Sequence, residues 1–269
     1  MQNLAAINRR PVMATPVYGR PITLFVQCLV DSLYPEVKDA VEKIFHRLSL
    51  DVVCPADQTC CGQPAFNAGY RKEARNAAAR FIDIFDEAET IVCPSGSCVN
   101  MVRHHYPLLF ENDPKYLDKA IALGSRLFEL TEFLVDVLKV EDIGAAFSGK
   151  VTYHDSCHLL RGLSVRSQPR RLIQNVKGAT LVEMKDSDRC CGFGGSFFLK
   201  YPDISAAMAS DKVLAVMDSG ADVVVGCDMG CLMQIQKHLI RLGSGIQALH
   251  IAQLLTMDGT AVNHRGSIS

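Results

Sequence analysis

"ADVVVGCDMGC", residues 221–231, is an unbroken apolar run that stops where two cysteines begin. Strict alternation of apolar and polar residues marks a strand with one wet face. A short continuous run instead marks a strand covered on both faces, as in a parallel sheet packed between helices. "TIVCPSGSC", residues 90–98, repeats the pattern, an apolar run broken by the arrival of cysteines. Upstream of each lies another β-rich run, "PITLFVQC" (21–28) and "KVTYHDSC" (150–157), ending in Cys28 and Cys157. "PEVKDAVEKIFHRL" and "RRLIQNV" then read as helices, and "LDVVCP" and "ATLVEM" as the next strands. In "RKEARNAAARFIDIFDEAE" the residues Ala74, Ala77, Ala78, Phe81, Phe85 and Ala88 follow helical spacing, and its counterpart "DISAAMASDKVLAVMDSG" stops at Gly220. "RLFELTEFLVDVL" and "QALHIAQLLTM" supply a closing strand and helix to each half, and residues 111–125 are expected to be a crossover between halves.

Strands alternating with helices predict an α/β fold: two pseudo-repeated βαβ-type halves, each a parallel sheet flanked by helices. The expected division is a lead-in at 1–20, a first cysteine-rich half at 21–140, a second at 141–256 and a polar tail at 257–269. The 269 residues are 48% hydrophobic and 21% charged, the balance of a soluble globular chain. A formal net charge of −1 gives no electrostatic footprint for nucleic acid or an anionic membrane. No apolar run approaches the roughly 18 to 20 residues that span a bilayer. The first residues lack the apolar core of a secretory signal, so the expected location is the cytoplasm.

Eleven cysteines in an intracellular chain point to metal or redox chemistry, since the cytosol keeps thiols reduced. They also repeat. Cys28, the pair Cys60–Cys61, Cys93 and Cys98 fall on Cys157, the pair Cys190–Cys191, Cys227 and Cys231 after shifts of 129 to 134 residues, as an internal duplication would leave them. Cys54 falls on Met184 and reads as a small buried hydrophobe in a strand. In open parallel sheets ligands gather beyond the carboxyl ends of the strands, so each set is expected to converge on one edge of its own sheet. Adjacent side chains of an extended segment point apart, so Cys190 and Cys191 serve one site only if the backbone turns, which Gly192, Gly194 and Gly195 permit. A structural zinc site takes four ligands, often from two tight pairs. Thiols drawn from three separate loops suit the larger iron–sulfur cluster better, with zinc sites or scattered core thiols as the alternative.

The halves differ around their first cysteine. Only the second copy brings His154, Asp155 and His158, a group suited to moving protons beside a redox centre, or else to bonding backbone and shaping the loop. Arg161 either offsets thiolate charge or sits exposed. His104 and His105 read as surface or packing residues.

Through both copies of the Cys-Cys-Gly element, "CCGQPAFNAG" (60–69) and "CCGFGGSFF" (190–198), the chain resembles the cysteine-rich, or CCG-domain, iron–sulfur family over about residues 22–256. That family includes the cysteine-rich component of heterodisulfide reductase and the iron–sulfur subunits of glycolate oxidase and anaerobic glycerol-3-phosphate dehydrogenase. "ETIVCPSGSCVNMV" and "YHDSCHLLRG" are most similar to its lactate utilization protein A group. The resemblance implies one four-iron cluster per half, cubane or non-cubane, with zinc in one half of some members. Its ligands fall on Cys28, Cys60, Cys61, Cys93, Cys157, Cys190, Cys191 and Cys227. The family's closing pair is commonly Cys-x-x-Cys. Here four residues separate Cys93 from Cys98 and three separate Cys227 from Cys231, which sets Cys98 and Cys231 apart as looser cofactor contacts. The implied activity is electron transfer in a multi-protein system oxidising L-lactate to pyruvate, alongside partner iron–sulfur and accessory subunits. Cluster catalysis on a disulfide substrate and a zinc-bound assembly role are the alternatives. No G-x-G-x-x-G opens a helix after a strand, so nothing in the chain announces a nicotinamide or flavin site.

Overall fold

The computed structural model describes residues 19–259. The expected lead-in and polar tail fall mostly outside them. Within the described residues, four short parallel strands make the first sheet: β1 (Ile22–Leu24), β2 (Val52–Val53), β3 (Ile91–Cys93) and β4 (Leu127–Glu129), in the order β2-β1-β3-β4. The second sheet repeats it with β5 (Ala146–Tyr153), β6 (Lys177–Leu181), β7 (Val223–Gly226) and β8 (Gln247–His250), ordered β6-β5-β7-β8. The α/β duplication read from the sequence is therefore the fold.

Helices fill the connections. The first half carries α1 (Cys28–Leu33), α2 (Pro35–Arg47), α3 (Gln63–Asn67), α4 (Arg71–Phe85), α5 (Gly96–Asn100), α6 (Tyr106–Leu109), α7 (Pro114–Ser125) and α8 (Leu130–Glu132). The second carries α9 (Ser167–Gln174), α10 (Phe197–Lys200), α11 (Pro202–Asp218), α12 (Met229–Arg241) and α13 (Ile251–Leu254). Proline starts α2, α7 and α11, where its missing N–H costs nothing. On α4 the residues Ala74, Ala78, Phe81, Ile82 and Phe85 are buried, the stripe expected from their spacing. Residues 111–125 depart from expectation. They are not a crossover between halves but mostly α7, which leads from the β3 side of the first sheet into β4; Ala120 and Leu123 are buried.

In each sheet the chain leaves the first strand toward one edge and later returns across it to the other. The switch points lie between β1 and β3 and between β5 and β7, where open α/β sheets form a crevice at the strand carboxyl ends. One buried core runs through both halves, joining Phe25, Phe45 and Phe133 to Tyr153, Leu172 and Ile251. The halves approach so closely that a Cβ on Gly96 would stand 2.7 Å from Leu159. Asp228 stitches them together. Its Oδ1 accepts from Ser95 Oγ at 2.8 Å and from the Ser97 amide at 3.0 Å, and its Oδ2 accepts from Ser156 Oγ.

Candidate metal centre

Strand register decides which cysteines correspond. Cys93 pairs with Glu129 across the first sheet, and the matching rung of the second is Gly226 with His250. Ser95 is the N-cap of α5 and Asp228 the N-cap of α12, each three residues before a cysteine on the new helix. Cys98 therefore matches Cys231, Ser95 matches Asp228, and Cys93 matches Gly226 rather than Cys227. The thiols that survive this correspondence are four per half.

Those eight, and no other cysteine, line one cleft of about 390 Å³: Cys28, Cys60, Cys61 and Cys98 from the first half, Cys157, Cys190, Cys191 and Cys231 from the second. Each set gathers beyond the carboxyl ends of its own sheet, and the two sets face one another at the two switch points, a juxtaposition the sequence did not announce. Cys28 opens α1 and Cys157 follows β5 after three residues; the Cys-Cys pairs precede α3 and α10; Cys98 and Cys231 ride in the first turns of α5 and α12. Cys28 Sγ lies 3.9 Å from Cys60 Sγ, and Cys61 Sγ 3.5 Å from Cys98 Sγ. The turn that bends the second pair inward is fixed by Gly192, at φ +81°, whose amide donates to Cys190 Sγ at 3.4 Å and whose carbonyl accepts from Ser205 Oγ at 2.8 Å.

The remaining cysteines do not line the cleft, although the Cys93 thiol bonds Cys98 from behind it. Cys227 is fully buried, its Sγ 3.2 Å from the Tyr153 hydroxyl. Cys93 is also fully buried and ends β3 behind the cleft. Cys54 lies just past β2, half-buried rather than inside the strand, and accepts from Gln58 Nε2 at 3.0 Å.

Protons are unevenly held among these sulfurs. Hydrogen bonds from the Cys28 and Cys61 thiols push Cys60 down to about 3, whereas the shared bond with Cys60, then burial, holds Cys28 well above its ordinary value. Bonds from Cys61 and Cys93 likewise hold Cys98 low. In the second half the Cys191 bond, then burial, raises Cys190, and burial, then Cys190, raises Cys157. One thiolate is stabilised by its neighbours' protons; ionising every thiol of a set requires a cation to replace them. Four thiols per half is also the ligand count of a four-iron cluster, so the donor set fits the group the resemblance implies.

The three second-half residues expected to relay protons are not joined by hydrogen bonds to one another. Asp155 is held by Arg170 through two contacts of 2.8 Å and by Ser187 Oγ at 2.7 Å. His158 does line the cleft, with Nδ1 3.8 Å from Cys157 Sγ. His154 is 1% exposed, and neither ring nitrogen has a hydrogen-bond partner. Burial, then the Lys212 ammonium, pushes it down to about 3, so the ring is neutral. Arg161 is mostly exposed and donates to the Asp188 carbonyl at 2.9 Å, over the loop that carries the second pair. His105 packs on Phe66, with ring centroids 4.6 Å apart, and is half-buried like His104.

Two residues at this site escaped the sequence reading. Asp228 had a signal in the equal spacings Ser95-x-x-Cys98 and Asp228-x-x-Cys231, each a capping residue opening a helix. Lys212, a lysine within an apolar helix stripe, is fully buried and donates to the Asp186 and Ser187 carbonyls at 2.8 and 3.1 Å.

Two mirrored thiol sets at the carboxyl edges of duplicated sheets define a class, and the chain belongs to the cysteine-rich domain family, whose profile matches residues 22–103 and 151–236. Its relatives include proteins named lactate utilization protein A. The one from Exiguobacterium sp. is 46% identical over 236 residues, covering 87% of this chain and 96% of that protein. The one from Bacillus subtilis is 45% identical over 234 residues, covering 87% and 98%. Among solved structures, a hypothetical protein from Helicobacter pylori superposes with a TM-score of 0.61 at 9% identity. That match covers 88% of this chain and 48% of that one, and at such identity it speaks for the fold alone. Among the described residues no helix is long and apolar enough to cross a membrane.

Proposed function

We propose that the chain is an electron-carrying subunit of a multi-protein system that oxidises L-lactate to pyruvate, with an iron–sulfur centre held in each half. The observation that carries this reading is the cleft: two sets of four thiols, from equivalent positions of a duplicated fold, facing one another. The ligands assigned on this geometry are Cys28, Cys60, Cys61 and Cys98 in one half and Cys157, Cys190, Cys191 and Cys231 in the other. An iron–sulfur cluster supplies one-electron chemistry. The protein's own contribution is to keep the thiolates together, exclude bulk water through the buried Cys61 and Cys191, and bring the two centres to one opening. The names of the relatives support lactate as the compound used and suit a system of several proteins; partner iron–sulfur and accessory subunits would then carry the electrons away.

Anaerobic purification followed by iron and acid-labile sulfide analysis tests the cofactor. Loss of growth on L-lactate after deletion of the gene, restored by the wild-type copy, tests the pathway; unchanged growth would remove lactate from the reading. A second reading has its own support in the cleft, whose mouth carries Leu29, Phe193 and Leu199 beside the thiols and has room for a small molecule. It is reduction of a disulfide substrate between the centres. Thiol release from low-molecular-weight disulfides by the isolated, reduced protein would favour it over simple electron carriage.

A further inference from the structure

The two sites differ beneath their sulfurs. In the first half the floor is aromatic: Phe25 packs edge-on against Phe81, with ring centroids 4.7 Å apart. In the second half the equivalent positions are His154, three residues before Cys157 as Phe25 is before Cys28, and Lys212. The match of Phe81 to Lys212 follows from the helices, since Ala74 on α4 and Ser205 on α11 stand in the same place against Gly62 and Gly192. A buried imidazole with both nitrogens unpartnered carries a desolvation cost that phenylalanine would not. The first half shows that phenylalanine fits the fold at this position, so packing does not explain the histidine.

What His154 faces does. One of its ring nitrogens, Cys191 Sγ and Cys231 Sγ all lie within 4.8 Å of one another; no other group of three such donors among the described residues is that compact. We infer that His154 is a metal ligand, so that the second centre is bound by nitrogen and sulfur and the first by sulfur alone. Neutral imidazole donates its lone pair without releasing a proton, and Lys212 beneath it offsets thiolate charge. The imidazole joins the four thiols without adding charge, and the Lys212 ammonium offsets thiolate charge that the aromatic floor of the first half leaves uncompensated, which raises the reduction potential of the second centre and makes the second half the electron sink of the pair. This inference rests on the proposal that each half holds a metal–sulfur centre, and the test separates the two.

The full chain is labelled with 15N-histidine, reconstituted anaerobically with ferrous iron and sulfide, reduced, and read by pulsed electron paramagnetic resonance. The expected result is a histidine nitrogen coupling in the wild type that persists in His158→Ala and disappears in His154→Cys, which keeps its iron and sulfide because a thiolate replaces the imidazole. The potential of the second centre should fall in His154→Cys while that of the first stays put. Full iron and sulfide without any labelled coupling in the wild type, a measurement that needs no variant to fold, overturns the ligand and leaves the iron–sulfur reading intact. If sulfide is absent, the iron–sulfur reading falls. The labelled protein is then loaded with cobalt(II) alone: nitrogen coupling to cobalt lost in His154→Cys supports the ligand, and its absence in the wild type overturns it.

Discussion

Replacing Gly192 by alanine asks the second Cys-Cys-Gly turn for two things it lacks. The residue sits at φ +81°, where an L side chain costs about 1–2 kcal/mol. Its new Cβ would stand 2.5 Å from the Ser205 carbonyl oxygen and 3.1 Å from Met208 Cβ, both on α11, so backbone must shift. Overpacking of that kind costs a further 1–3 kcal/mol or so. Two neighbours calibrate the prediction. Gly195 has φ +63° with nothing within 4 Å of its Cβ position, so Gly195→Ala should cost only the conformational term, about 1–2 kcal/mol. Gly62, the equivalent of Gly192 in the first half, has φ +80° and its nearest contacts at 3.2 Å, so Gly62→Ala should fall between. Urea denaturation of the metal-free chain should order the variants Gly195→Ala, Gly62→Ala, Gly192→Ala by increasing loss, the last losing about 2–5 kcal/mol. Reconstituted Gly192→Ala should also bind less iron, because the turn that aims Cys190 and Cys191 into the cleft is displaced. Equal losses for Gly192→Ala and Gly195→Ala would show that contact with α11 does not shape the turn.

Burial raises the Glu129 carboxyl from its ordinary 4.5 to about 7, so the fold prefers it neutral. Its contribution is present in full below pH 4.5 and is lost as pH rises through about 7; the difference amounts to at most about 3 kcal/mol. Glu129→Gln should therefore gain stability relative to the wild type between about pH 5 and 8, as followed by urea midpoints; parallel curves would refute it. Asp155→Ala removes the buried half of the Arg170 pairing, leaves Arg170 bonded to Glu183, and should cost about 1–3 kcal/mol in the same assay. The pH dependence of electron transfer in Asp155→Asn should match the wild type, since the carboxylate is held by Arg170 and Ser187; a shifted profile would restore it to a proton relay.

The duplication is legible because strand and cysteine patterns repeat together: β-rich runs before Cys28 and Cys157 and continuous apolar runs before Cys93 and Cys227 announce strands whose ends carry the site. What lay beyond reach came from pairings distant in sequence. Counting cysteines aligns Cys93 with Cys227, because both are the first to follow an apolar run, but register places Cys93 opposite Glu129 and gives its rung in the second half to Gly226. Cys93 ends β3 while Cys227 lies one residue past the end of β7, so the two are not equivalent: the Cys93 thiol bonds Cys98 and the Cys227 thiol meets the Tyr153 hydroxyl. The joining of the two sites in one cleft depends on Asp228 meeting Ser95 and Ser97, contacts spanning more than 130 residues that no local pattern encodes. The helix at 114–125 was hidden for another reason: Pro114 announces its start, but it lies between an expected helix and an expected strand and was absorbed into the connection.

The central claim, that eight cleft thiols and not the three behind them hold the metal, is tested most directly by iron and acid-labile sulfide per chain in anaerobically reconstituted single variants. Cys61→Ser and Cys191→Ser should each lose the content of one centre, about four iron and four sulfide for a four-iron cluster. Cys54→Ala, Cys93→Ala and Cys227→Ala should retain the wild-type content. Loss of a centre in Cys93→Ala or Cys227→Ala with the fold intact, or full retention in Cys61→Ser and Cys191→Ser, would contradict the assignment.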